Sequence, residues 1–137
     1  MAATPMARRK RASGMLHQRV LQLLEARYPH PLTGLQLVEL LHEEGDLVPT
    51  SQVYRALKRL IDEGAACKVL VAGGYVPIGR KPVILLWCRK CGTVEAVSGA
   101  ETFRLLEARA DAAGLTAARS LVEVPGICAA CAGRNSG

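Results

Sequence analysis

At 137 residues the chain has room for one compact unit or two very small ones. It is 50% hydrophobic, but its aromatic residues are Tyr28, Tyr54, Tyr75, Trp87 and Phe103 alone, so a core must come mostly from Leu, Val and Ala. The formal net charge of +6 points toward an acidic partner such as nucleic acid, while the longest apolar run, Val83 to Cys88, is far too short for a membrane span.

The charge is unevenly placed. The positive excess lies before Leu32 and between Arg55 and Arg59, and the segment from Glu39 to Asp46 is acidic. The basic N-terminus, MAATPMARRKRASG, is followed by no apolar segment of the kind a secretory signal needs. Five cysteines without such a signal point to a reducing cytoplasm and to metal ligation ahead of disulfides.

Residues 1–14 read as a disordered arm carrying Arg8, Arg9, Lys10 and Arg11, either a solvated tail or an arm laid against DNA. From Met15 the pattern is helical: Met15, Leu16, Val20, Leu23, Leu24 and Tyr28 form a stripe that Pro29-His30-Pro31 stops. A second helix starts after Thr33, an N-cap residue type, buries Leu37, Val38, Leu40 and Leu41, and ends around Gly45. Val48-Pro49 then breaks the chain. A third helix, capped by Thr50 or Ser51, places Val53, Ala56, Leu57, Leu60 and Ile61 on one face and stops at Gly64. Lys68 to Val71 and Tyr75 to Ile78 flank Gly73-Gly74, a pair that tolerates the positive φ of a tight hairpin. Three helices and a hairpin outline a winged helix over residues 15–79.

A boundary lies near Gly79 to Lys81, where Gly, Arg, Lys and Pro cluster. Beyond it, Val83 to Trp87 and Thr93 to Val97 read as strands. Glu101 to Ala113 reads as a helix through Phe103, Leu106, Ala110 and Ala113, capped by Gly114, and Ser120 to Val124 as a last strand. This makes a small α/β domain over residues 80–133 with a small, polar tail at 134–137. The fold class is α+β.

Two features carry chemistry. With Val53, Ala56, Leu57, Leu60 and Ile61 facing a core, the third helix turns Ser51, Gln52, Tyr54, Arg55, Lys58 and Arg59 outward. Hydroxyl, amide and cationic groups on one face suit base edges and phosphates in a major groove, although many amphipathic helices carry a solvated basic face. The helix before it and the hairpin after it favour recognition, and one such unit covers one half-site, so a homodimer on a pseudo-palindromic duplex is expected.

The second feature is the pair of motifs Cys88-x-x-Cys91 and Cys128-x-x-Cys131. Each offers two thiolates at the bite of one tetrahedral zinc, and together they complete a closed site of structural rather than catalytic type. A redox pair would sit at a helix N-terminus, but Cys88 follows a strand. No nucleophile stands at a suggestive spacing from His17, His30 or His42, and no glycine-rich phosphate loop is present, so no enzyme is indicated.

The stretches TSQVYRALKRLIDEG, YVPI, WCRKCGTVEAV, AAGL and VPGICAACAG, in that order, resemble the ferric uptake regulator (Fur) family of bacterial metalloregulators, and most closely its zinc-uptake (Zur) branch. The likeness runs from about Met15 to Gly133. It implies a cytoplasmic, homodimeric winged-helix repressor of metal-homeostasis genes, with a C-terminal dimerisation domain, one structural zinc per subunit on four cysteines, and Tyr54 and Arg55 at the DNA. It also implies a regulatory metal between the domains, and there the chain departs from the pattern. The run Gly79 to Leu86, where the family carries histidines, has none, and Arg80 and Lys81 add positive charge. Ile78 stands where the zinc branch tends to place a cysteine, and Ala96 beside Glu95 where a ligating glutamate would fall. Cys67 alone keeps suitable chemistry, as a remnant ligand, a thiol sensor or a small buried residue. Three readings follow: a zinc-responsive repressor; a Fur-like regulator that has lost metal sensing and binds DNA constitutively or under partner or thiol control; and a zinc-ribbon module that docks on another protein.

Overall fold

A computed structural model describes residues 4–70, 73–79, 82–116 and 121–136 and divides into two compact units, Met1–Pro77 and Ile78–Gly137. No described helix is long and apolar enough to cross a membrane.

The first unit opens with α1, Thr4–Arg27. This helix begins inside the stretch that the sequence reads as a disordered arm. Residues 6–12 are all Ala, Met, Arg or Lys, which are strong helix formers, but no apolar stripe marks them, so periodicity gives no signal there. Helix α2, Gly34–Glu43, starts at a complete capping box. The Gln36 amide donates to Thr33 Oγ1 at 3.1 Å, and the Thr33 amide donates to Gln36 Oε1 at 2.9 Å. Helix α3, Thr50–Asp62, is entered differently from the sequence expectation: neither Thr50 nor Ser51 caps it. Extended Pro49 takes the cap position, Thr50 is already helical, and the Pro49 carbonyl accepts from the Gln52 and Val53 amides.

The three helices close on one core in which Val20, Leu24, Leu37, Leu41, Val53, Leu57 and Leu60 are almost wholly buried. Ile61 is only partly covered at its margin. Arg19 holds Glu44 with both ends of its guanidinium, fastening α1 to the end of α2.

Strand β1, Ala66–Val69, pairs antiparallel with β2, Gly74–Pro77. The first strand therefore lies two residues earlier than the Gly-Gly signal implies. Gly73, at φ 73°, makes the turn and its amide returns to the Val69 carbonyl at 2.8 Å. Gly74 instead sits inside β2, where a Cβ would lie 2.8 Å from Pro31 Cβ and 3.3 Å from the Leu32 backbone. That close approach lets Leu32 and Tyr75 exchange amide–carbonyl bonds of 3.1 and 2.8 Å, joining the hairpin to the segment ahead of α2.

The second unit holds β3 (Val83–Cys88), β4 (Val94–Ser98), α4 (Ala100–Ala112), β5 (Leu121–Gly126) and α5 (Ala129–Ser136). The sheet order is β4-β3-β5, with β4 antiparallel and β5 parallel to β3. The connection from β4 to β5 carries α4 and joins the two outer strands, which flank β3. Two expectations are corrected here. Helix α4 buries Phe103 but leaves Leu106 exposed, so its apolar stripe is not covered within the unit. Residues 134–136, expected to lie in a polar tail, belong to α5: Ala129, Ala130 and Ala132 favour a helix without providing any periodicity to read. Arg80, Lys81 and Ser120 lie outside the described residues.

Candidate metal centre and nucleic-acid interface

The two cysteine pairs meet because of strand register. Strands β3 and β5 run parallel, and Cys88 lies opposite Gly126, so both motifs leave the sheet at the same end. The first pair closes as a tight turn: the Gly92 amide donates to the Cys88 carbonyl at 2.9 Å, with Gly92 at φ 80°. The Arg89 amide reaches the Gly126 carbonyl at 2.9 Å and ties that turn to the loop carrying Cys128. Cys131 sits in the first turn of α5.

The sulfurs of Cys88, Cys91, Cys128 and Cys131 all lie within 4.8 Å of one another. Cys91 Sγ and Cys128 Sγ are 3.8 Å apart, which is far beyond a disulfide. It matches the edge of a tetrahedron with metal–sulfur bonds of about 2.3 Å, which puts sulfurs about 3.8 Å apart. Cys88 and Cys131 are buried, Cys128 is half-buried and Cys91 is exposed.

Hydrogen bonds prepare these sulfurs unequally. Backbone amides of Cys91, Cys128 and Lys90 hold the Cys88 thiol down to about 5, and the Cys128 amide lies 3.3 Å from its sulfur. The Thr93 hydroxyl, 3.2 Å from Cys91 Sγ, lowers that thiol too. The Cys131 thiol is pushed up to about 12, first by its hydrogen bond with Cys128 and then by burial. Thiols this close cannot all ionise unless a cation sits among them. The donor set and spacing therefore fit one closed, four-sulfur metal site, and among the described residues no other His, Cys, Asp or Glu cluster has metal-binding spacing. Cys67 lies elsewhere, 3% exposed in β1 opposite Val76. Ile78 is buried, Glu95 is exposed, His17 is half-buried, and His30 and His42 are exposed.

On α3, Ser51, Gln52, Tyr54, Arg55, Lys58 and Arg59 are all exposed, while Val53, Ala56, Leu57 and Leu60 face the core. Lys58 Nζ lies 3.1 Å from Asp62 Oδ2, and Arg59 Nε lies 3.0 Å from Glu63 Oε2. Arg55 makes no ion pair among the described residues. Sequence reasoning missed both carboxylates, although their i+4 spacing is the signal for such pairs. It also missed Thr93, which the cysteine spacing gives no reason to single out, and Gly34, against which the Tyr54 ring lies.

No protein-family model and no curated protein matches the chain. Solved structures do. Holo XcZur is 28% identical at a TM-score of 0.75, over 85% of this chain and 84% of its own. A zinc uptake regulator complexed with zinc and DNA is 21% identical at a TM-score of 0.78, over 98% and 96%. The ferric uptake regulator from Francisella tularensis with iron is 16% identical at a TM-score of 0.61, over 85% and 90%. These matches are regulators, not enzymes, and the chain shares their architecture: it has a Fur/Zur-like fold, with a winged helix followed by an α/β unit that gathers four cysteines for a metal.

Proposed function

We propose that the chain is a transcriptional repressor of metal-homeostasis genes that binds a pseudo-palindromic operator as a homodimer. The exposed face of α3 carries this reading: three cations with a tyrosine, a glutamine and a serine, on the third helix of a winged helix. In this reading Tyr54, Gln52 and Ser51 face bases, and Arg55, Lys58 and Arg59 face bases or phosphates. The Zur structure solved with zinc and DNA supports both ligands for a chain of this fold.

Cys88, Cys91, Cys128 and Cys131 would hold one structural Zn2+ per subunit. The ion supplies charge compensation for four thiolates and a cross-link between the ends of β3 and β5; with four protein ligands it leaves no position for substrate. For the homodimer, the support lies in the second unit. By register Ile84 and Leu86 share a sheet face with Val122 and Val124, and Leu86 and Val124 are 41% and 43% exposed. Strand β5 also has β3 on one side and no other strand partner among the described residues.

A second reading concerns the signal. The run from Gly79 to Leu86 contains no histidine and Cys67 is buried in the hairpin. A regulator that has lost metal sensing, and binds DNA constitutively or under partner or thiol control, accounts for both. Zinc content per subunit, measured before and after dialysis against a moderate chelator, separates the two. One retained zinc supports the clamp without a sensor; a second, chelator-labile zinc supports the zinc-responsive repressor. Duplex binding tests the whole reading. Affinity should fall steeply with salt, and Arg55→Ala should weaken it and flatten the slope by about one ion. A protein that binds no duplex returns the chain to the docking-module reading.

A further inference from the structure

Tyr54 belongs to the exposed face of α3, but its place is set from another helix. Gly34 is the first residue of α2 and is buried. A Cβ built on it would run into Tyr54 Cζ, 2.5 Å from the hydroxyl oxygen and 2.8 Å from Cε1. Carbon contacts ordinarily lie at about 3.5–4.0 Å, so the phenol occupies the space that any side chain at 34 would need. The backbone does not ask for glycine here: the positive-φ glycines are Gly45, Gly64, Gly73, Gly92 and Gly114, and alanine would suit the helix better than Gly34 does. What glycine provides is room for the ring.

The segment just ahead of Gly34 is tied to the hairpin of the same unit. Leu32, two residues before Gly34, is bonded to Tyr75 of β2. The Tyr75 phenol is buried, which pushes its pKa up, and the nearby Tyr54 phenol adds to the rise. The start of α2 is thus held by the hairpin on one side and met by the tip of Tyr54, which is still 43% exposed, on the other.

We propose that Gly34 is a positioning residue for sequence recognition: its missing side chain seats the Tyr54 ring against the start of α2 and so fixes where the phenol meets a base pair. This rests on the reading of α3 as a DNA-reading helix. Gly34 need not touch the duplex itself.

The test uses the full-length, zinc-loaded protein. A preferred duplex is selected from a random library with the unaltered chain, and binding is compared with a scrambled duplex of the same composition for Gly34→Ala, Tyr54→Ala and the double variant. With Gly34→Ala the preference for the selected duplex should fall about tenfold, the order of one lost base contact. Its salt slope should stay unchanged, because the phosphate-facing cations are untouched, and its melting temperature should hold or rise. In the Tyr54→Ala background, where the space is open, Gly34→Ala should cost nothing further. An equal loss in both backgrounds, or an unchanged preference in Gly34→Ala, overturns the seat while leaving DNA binding intact. No duplex binding by the unaltered chain overturns the DNA reading, and this inference with it.

Discussion

The two units hold themselves together by different means. In the first, Leu24, Leu37, Leu41, Leu57 and Leu60 come from three helices and are sealed at 1% exposure or less. In the second, the buried apolar residues of the sheet and α4 are Val83, Leu85, Val94 and Phe103 together with Cys88, and Ile78 and Cys131 lie outside those elements. Helix α4 covers Phe103 and leaves Leu105 and Leu106 at 57% and 43% exposure. A unit of about 60 residues is marginal on its hydrophobic core alone, and a cross-link or metal commonly supplies the rest. The same chain thus shows two arrangements: a leucine core under α3, and a thin sheet at whose end four cysteine sulfurs gather.

The largest effect should come from breaking that closure. Cys88→Ser removes the sulfur that accepts backbone bonds and leaves the other three without a full ligand set. The sole tryptophan, Trp87, lies in β3 next to Cys88, so its emission reports the second unit alone. Metal should be lost and Trp87 should shift to the red, while most of the helical circular dichroism, which the first unit dominates, survives. Simultaneous loss of both signals would show that the units fold as one and would sink the contrast.

The converse change is Leu57→Ala. Leu57 is 1% exposed in the core behind α3, and truncation there should cost about 2–5 kcal/mol. Helical signal should melt earlier and duplex binding should weaken, with metal content and Trp87 emission held. If the metal leaves as well, the clamp depends on the helical unit after all.

How much of this could be read in the residues differs between the same two regions. The helices of the first unit announce themselves because one face is apolar at a 3.6-residue period and the punctuation is explicit: Thr33 caps, and Gly45 and Gly64 adopt positive φ. The ends of its elements were harder. Pro49 displaced Thr50 and Ser51 from the cap, and β1 lies two residues and β2 one residue earlier than expected, with Gly74 inside the strand close to Pro31 and Leu32 rather than in the turn. In the second unit the cysteine spacing implied a metal, but not which strands would bring the pairs together. That depends on the parallel register of β3 with β5, a long-range pairing that no local pattern encodes. The helicity of residues 4–14 and of α5 was illegible for a simpler reason: neither has a periodic apolar face, so propensity alone decides. The seat beneath Tyr54 needs two helices placed at once, and a lone glycine in sequence says nothing of it.

A smaller effect sharpens the contrast from within the first unit. Thr33→Ala removes the side-chain half of the capping box on α2, at a cost of about 1 kcal/mol. The melting temperature of the helical signal should fall by a few degrees, while the Trp87 transition stays in place. A shift in both would mean that the stability of the first unit is felt by the second and that the two do not unfold separately.

The smallest change in stability is Glu63→Gln, and it bears on what the leucine core is for. Arg59 and Glu63 are about half exposed, and such an i,i+4 pair contributes about 0.3–0.5 kcal/mol. In the proposed complex Arg59 must turn from Glu63 toward a phosphate, and the carboxylate left behind repels the duplex. The substitution should therefore cost the fold almost nothing and raise duplex affinity a few-fold at low salt. The gain should fade as ions screen the repulsion. Titrations at two salt concentrations decide the matter. Weaker binding of the variant would mean that Glu63 orients Arg59 for contact instead of competing with it. Either sign leaves the core untouched, because the buried residues of α3 lie on one face and the residues proposed for recognition on the other. The second unit has no such division: Cys88 and Cys131, its candidate ligands, are also among its buried residues.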